Sequence, residues 1–132
     1  MLKKHVEYYD FNGKLQKEDV YLHINKVEQT RILGRMGDNI TDHIKKLVED
    51  KDTDTLIDLI EKIILIAYGK KSDDGRQFIK TKEETDAFSN SEAYAEIFGD
   101  LITHPEEAEA FWAGVSDNSG IKVPSKVAKR TR

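Results

Sequence analysis

The chain has no cysteine, two prolines and a single tryptophan in 132 residues. Without thiols there can be no disulfide and no thiolate zinc site, and a reducing cytoplasm is the compartment easiest to reconcile with that. No apolar run approaches the roughly 18 residues that a membrane-spanning helix needs. The opening MLKKHVEYYD has two lysines but no apolar core behind them, so it does not read as a secretory signal. Histidine is sparse. His5, His23, His43 and His104 are far apart and form no His-x3-His pair, so no metal site is predicted. Asp73-Asp74-Gly75 lacks the alternating oxygen ligands and closing glutamate of a calcium loop. Gly34 and Gly37 follow no strand and make no phosphate cradle, and no serine sits in a G-x-S-x-G elbow. The expectation is a protein without cofactor and without catalysis.

What is present is charge and helical patterning. The net charge is −4, but the last eleven residues, KVPSKVAKRTR, carry five basic groups and no acid, which leaves −9 on residues 1–121. An acidic body argues against nucleic-acid binding, since phosphate contacts need a basic surface. Residues 117–132 are predicted to form a flexible basic tail.

Residues 1–24 read as a β-hairpin. Val6 and Tyr8 share one face of the first strand, and Val20, Leu22 and Ile24 one face of the second. Asn12-Gly13 predicts a type I′ turn between them, and the polar run Lys14 to Asp19 is expected to interrupt the second strand. Such a hairpin is marginal alone, so its apolar face must dock on helices or its edge must pair with another chain.

From Asn25 the period becomes helical, and residues 25–116 are predicted to form a helical bundle domain. Asn25 with Glu28 can cap a first helix, which Gly34 and Gly37 loosen. Ile40, Ile44, Leu47 and Val48 stripe a second. Residues 55–69 form the most apolar helix, predicted to be central, with Gly69 ending it in the left-handed conformation. After the polar turn Ser72–Gly75, three short helices are expected to start at Thr81, Ser89 and Thr103, each paired with a glutamate three residues on. The fold class is therefore mainly α with an N-terminal β-hairpin, an α+β chain built as a small helical bundle around the central helix.

Four aromatics, Tyr94, Phe98, Phe111 and Trp112, gather on the last two helices and are the candidate partner-binding residues. Most are expected to fill the core. Phe111 and Trp112 are consecutive and cannot share one helix face, so one of them is expected near the surface, where a partner could take it up.

The order of parts resembles the tail assembly chaperones of long-tailed bacteriophages, in the group found in phages of Gram-positive hosts. The resembling pieces are the hairpin VEYYDFNGK, the segment YGKKSDDGRQFIK after the apolar helix, and the block SNSEAYAEIFGDLITHPEEAEAFWAGV. The likeness covers roughly residues 5–115. Trp112 and His104-Pro105 are local departures from it, and the basic end has no counterpart. The resemblance implies a non-enzymatic chaperone in the host bacterial cytoplasm. It would bind the tape-measure protein, keep it soluble and help recruit tail tube protein subunits. The family is typically made in two lengths by frameshifting, and this chain fits the shorter. Self-association through the hairpin edge is also open. The alternative reading is a small structural tail or connector subunit of the virion.

Overall fold

The computed structural model describes residues 1–36, 40–117 and 119–121. Among them the chain runs β1 (Leu2–Tyr9), β2 (Leu15–Leu22), α1 (Lys26–Met36), α2 (Ile40–Glu49), α3 (Thr53–Ala67), β3 (Tyr68–Lys71), β4 (Phe78–Ile79), α4 (Lys82–Ser89), α5 (Glu92–Thr103), a 3-10 turn (Pro105–Glu107) and α6 (Ala108–Ser116). The class is α+β. The strands form one antiparallel sheet of order β1-β2-β3-β4, so the sheet has two strands more than the sequence predicted. The basic run from Lys122 onward and Gly37 lie outside the described residues.

β1 pairs with β2 over its whole length, from Leu2 opposite Leu22 to Tyr9 opposite Leu15. The polar stretch before Asp19 therefore does not interrupt β2. Strand pairing needs a backbone partner, not an apolar side chain, and the outer half of this ribbon stands in solvent. The turn also differs from expectation. Gly13 alone takes a positive φ, 77°, while Asn12 does not. Asp10 accepts the Gly13 N–H on its carbonyl at 2.9 Å and donates its own N–H to the Lys14 carbonyl at 2.9 Å. Asp10 Oδ1 also takes the N–H groups of Asn12 and Lys14. A three-residue connection ending in a left-handed glycine results, a common alternative to the two-residue turn.

The inner face of the sheet carries Leu2, Lys4, Val6, Val20 and Leu22, all buried. β1 packs on α5 and α6, and β2 on α3. α3 contacts α2, α4, α5 and α6, and buries Leu56, Leu59, Ile60, Ile63, Ile64 and Ala67. Its N-cap is Asp52, whose side chain accepts from the Thr55 N–H. Its C-terminal end is not closed by a left-handed Gly69. The chain passes straight into β3, with Tyr68 extended at φ −66° and ψ 139°. β3 and β4 then form a second hairpin around Ser72–Gly75, where Gly75 has φ 74°.

Helix starts follow the sequence in part. Asn25 and Glu28 make the reciprocal cap, each side chain accepting the other's N–H at 2.9 Å. Thr81 caps α4 through the Glu84 N–H at 3.1 Å. Ser91, not Ser89, caps α5, accepting from the Tyr94 N–H, while Ser89 donates its hydroxyl back to the Asp86 carbonyl. No side chain caps the Pro105–Glu107 turn, and α6 begins at Ala108, later than the expected Thr103 start.

Candidate partner-binding site

Phe111 and Trp112 are both buried, at 6% and 8% exposure. The expectation that one of the two reaches the surface is therefore corrected. α6 packs against α2 and α3 and also against β1, so consecutive positions on it find cover on different sides. Neither residue offers a surface to a partner in this fold.

Tyr94 and Phe98 are half-buried on α5 and belong to an aromatic row. Tyr68 at the start of β3 stacks on Phe88 of α4, with centroids 4.0 Å apart and planes at 2°. Phe88 meets Tyr94 edge-on at 5.5 Å, and Tyr94 lies 6.0 Å from Phe98. The row thus ties β3, α4 and α5 together, and its ends, Tyr68 and Phe98, stay partly open. Tyr8 of β1 is the other half-buried aromatic packed on the core.

Carboxylates accompany these phenols. Tyr94 donates to Glu61 Oε2 of α3 at 3.3 Å. Its phenol is pushed up to about 12, first by burial and then by the Glu61 charge. Tyr8 donates to Glu18 across the β1–β2 pair, and burial followed by that bond pushes it up to about 12 as well. Glu84 pairs with Lys70 at 3.3 Å. The result is a row of aromatic edges interleaved with acids on several elements. This arrangement can receive apolar and basic side chains from a helix or strand of another protein.

Two features were not legible in the sequence. The first is the hairpin tip, where Tyr9, Phe11 and Leu15 are exposed at 67%, 79% and 47%. Three large apolar side chains thus stand exposed together near the end of the β1–β2 ribbon. The available signal was Phe11 inside the Asp10–Gly13 turn, a position that turn chemistry does not require to be apolar. The second is an open cleft of about 490 Å³ where β2 and β3 diverge, lined by Glu18, Val20, Tyr21, Tyr68, Gly69 and Lys70 among others. Among the described residues β2 and β3 pair at Tyr21–Gly69 and Leu22–Tyr68, so the part of β2 before Tyr21 has no strand paired on that side.

Among the described residues, no group of three or more His, Asp or Glu side chains could hold a metal ion. No described helix is long and apolar enough to cross a membrane. A family model described as phage tail assembly chaperone matches residues 1–130. No curated protein and no solved structure matches the chain.

Proposed function

Because the chain belongs to the phage tail assembly chaperone family, we propose that it binds the tape-measure protein, keeps it soluble, and helps recruit tail tube subunits as the tail is built. The match across residues 1–130 is the observation that carries this reading. The surface chemistry supports it. A tape-measure protein is long and helical and exposes apolar stripes, so its holder needs apolar contact of moderate strength that can be released. The half-buried Tyr94 and Phe98 at one end of the aromatic row, with Glu61 beside Tyr94, supply such contact. Many copies on one client gain avidity without a tight single site. The nine excess acids of residues 1–121 favour solubility at high copy number. The chaperone would act inside the host cell, with copies meeting one another through the hairpin edge.

The test is co-expression with the tape-measure protein encoded near this gene, scoring client solubility and co-elution. A client that stays insoluble while this chain elutes alone removes the reading. Phe98→Ser is expected to weaken co-elution while leaving the fold intact. Phe111→Ser and Trp112→Ser are expected to act through unfolding. The exposed ribbon favours the second reading, a structural tail subunit that extends its sheet permanently between neighbours. Mass spectrometry of purified virions separates the two, because a chaperone is absent from them and a subunit is present.

A further inference from the structure

The hydrogen-bond phase of the hairpin can be read from its two ends. The Asp10 N–H goes to the Lys14 carbonyl, and on the far side of β2 the His23 N–H goes to the Ala67 carbonyl. In an antiparallel ladder, directly opposed residues alternate between bonding each other and facing away. Leu2, Lys4, Val6 and Tyr8 therefore exchange bonds with β2, and Lys3, His5, Glu7 and Tyr9 turn their amides to the outer edge. β1 is the first strand in the sheet order, and among the described residues no turn, loop or cap bond takes any of those four N–H groups. This edge is eight residues long, whereas the opposite edge of the sheet, β4, is two.

Edge strands are commonly blunted by proline, bulges or lysines that repel an incoming copy. The edge carries two lysines, but Lys4 points inward, where it is buried and its charge is met within its own chain by Asp100 at 3.1 Å, which leaves Lys3 as the lysine on the outer face. β1 has no proline, and the sign of its charge reverses along the strand, from Lys3 to Glu7. A sequence with that reversal is complementary to itself when antiparallel.

We infer that β1 pairs antiparallel with β1 of a second copy, about a two-fold axis at His5, so that Lys3 of each copy lies opposite Glu7 of the other. In this register the outward-facing residues oppose one another, as a bonded ladder requires: His5 meets His5, and Lys3 meets Glu7 twice. The residue numbers in each opposed pair have the same parity, so both inner faces lie on one side and the two sheets join into one of eight strands. On the inner face Leu2 of one copy covers Tyr8 of the other, and Tyr8 is half-buried within its own chain. An axis at Lys4 would set Lys3 against His5, and an axis at Val6 would set Lys3 against Tyr9. Only the axis at His5 opposes the two residues of full and opposite charge. The interface is isologous and closed, which gives a dimer and leaves Phe11 and Leu15 of each hairpin tip outside the pairing. The inference deepens the self-association proposed above.

The experiment is sedimentation velocity over a concentration series, with far-UV circular dichroism as the fold control. Wild type is expected to dimerise. His5→Pro removes an amide that β1 does not use toward β2, so it is expected to fold normally and sediment as a monomer. Lys3→Glu and Glu7→Lys alone are each expected to weaken dimerisation about tenfold, since two attractive pairs become repulsive. The Lys3→Glu/Glu7→Lys double variant is expected to restore it. A monomeric wild type, or a His5→Pro protein that still dimerises, overturns the pairing. Single reversals without effect, or a double variant that stays weak, overturn the register. Client solubility is scored on the same variants. A monomeric wild type that still keeps the tape-measure protein soluble removes the dimer and leaves the chaperone reading standing.

Discussion

Lys80 shows how one side chain can close a fold. Its ammonium donates to the Ile66 carbonyl at 2.6 Å, to the His23 carbonyl at 2.7 Å, and to both Glu28 oxygens at 2.8 and 2.9 Å. It thereby satisfies a carbonyl at the end of α3, a carbonyl after β2, and the carboxylate that caps α1. Burial pulls its pKa below the ordinary lysine value, and the Glu28 bond opposes that shift. Lys80→Met is expected to cost on the order of 3 kcal/mol, because Glu28 and two carbonyls lose a shared donor. Urea denaturation reads this as a lower midpoint with an unchanged slope. Two histidines carry opposite pH signatures. His23 Nδ1 is buried and has no hydrogen-bond partner among the described residues, and burial holds its pKa below the usual 6.5. The unfolded chain therefore takes the proton first, so the His23 contribution is full above pH 6.5 and is lost as pH falls below it. His5 is raised instead, by its bonds to Glu7 and then Asp19, so its contribution is present below pH 6.5 and is lost as pH climbs through the folded value. His23→Leu is expected to flatten the acid side of the stability–pH curve, measured by chemical denaturation at successive pH values. An unchanged acid limb would show that His23 is not the group responsible.

At the scale of elements, the segment YGKKSDDGRQFIK is one of the pieces that carry the family likeness, and much of it has an architectural role. Tyr68 stacks on Phe88. Ser72 donates its hydroxyl to Asp74, and the same oxygen accepts the Gln77 N–H. Gly75 supplies the positive φ. A Cβ on Gly69 would lie 2.8 Å from Phe78 Cε2 and 3.0 Å from the Ile79 carbonyl oxygen, so only glycine lets β4 approach β3. Gly69→Ala is expected to destabilise by about 1–3 kcal/mol through overpacking, read as a lower thermal midpoint. The sequence led instead to a helix cap at Gly69, because a glycine after an apolar run with lysines behind it suits a C-terminus equally well. Two short strands of four and two residues leave too little alternation to be seen. The start of α5 was mislocated for a similar reason. Ser89 and Ser91 both precede an apolar stripe, and only Ser89 has a glutamate three residues on. The geometry selected Ser91, with φ −103° and ψ 158° and its side chain on the Tyr94 N–H. Ser91→Ala is expected to cost about 1 kcal/mol and Ser89→Ala less, a difference that paired thermal melts resolve. Of the candidate site, Tyr94 and Phe98 were legible as one stripe of α5. That Phe111 and Trp112 are both buried was not, because it depends on β1 and α2 closing on two sides of α6.

At the scale of the whole molecule, the question is where the folded body stops. Among the described residues the last fully buried side chain is Val115, whose carbonyl accepts the Ile24 N–H at 2.8 Å. Beyond it the N-terminal ammonium donates to the Asp117 carbonyl and, at 3.2 Å, to the Gly120 carbonyl. These bonds join the two ends of the described chain beside β1. Residues 122–132 would add five basic groups to a body of net charge −9. If they are a solvated tail, they contribute to long-range electrostatics and not to packing. A chain lacking 122–132 is then expected to melt at the same temperature as the full chain. Its net charge becomes more negative, so its retention on an anion exchanger rises. A fall in midpoint of more than about 4 °C, worth roughly 1 kcal/mol for a domain of this size, would place the basic segment inside the fold and remove the boundary at 117. Repeating the melt in high salt distinguishes the remaining cause of any smaller shift. Attraction between the tail and the acidic body is screened once the Debye length shrinks to about 3 Å at 1 M salt, whereas apolar packing is not.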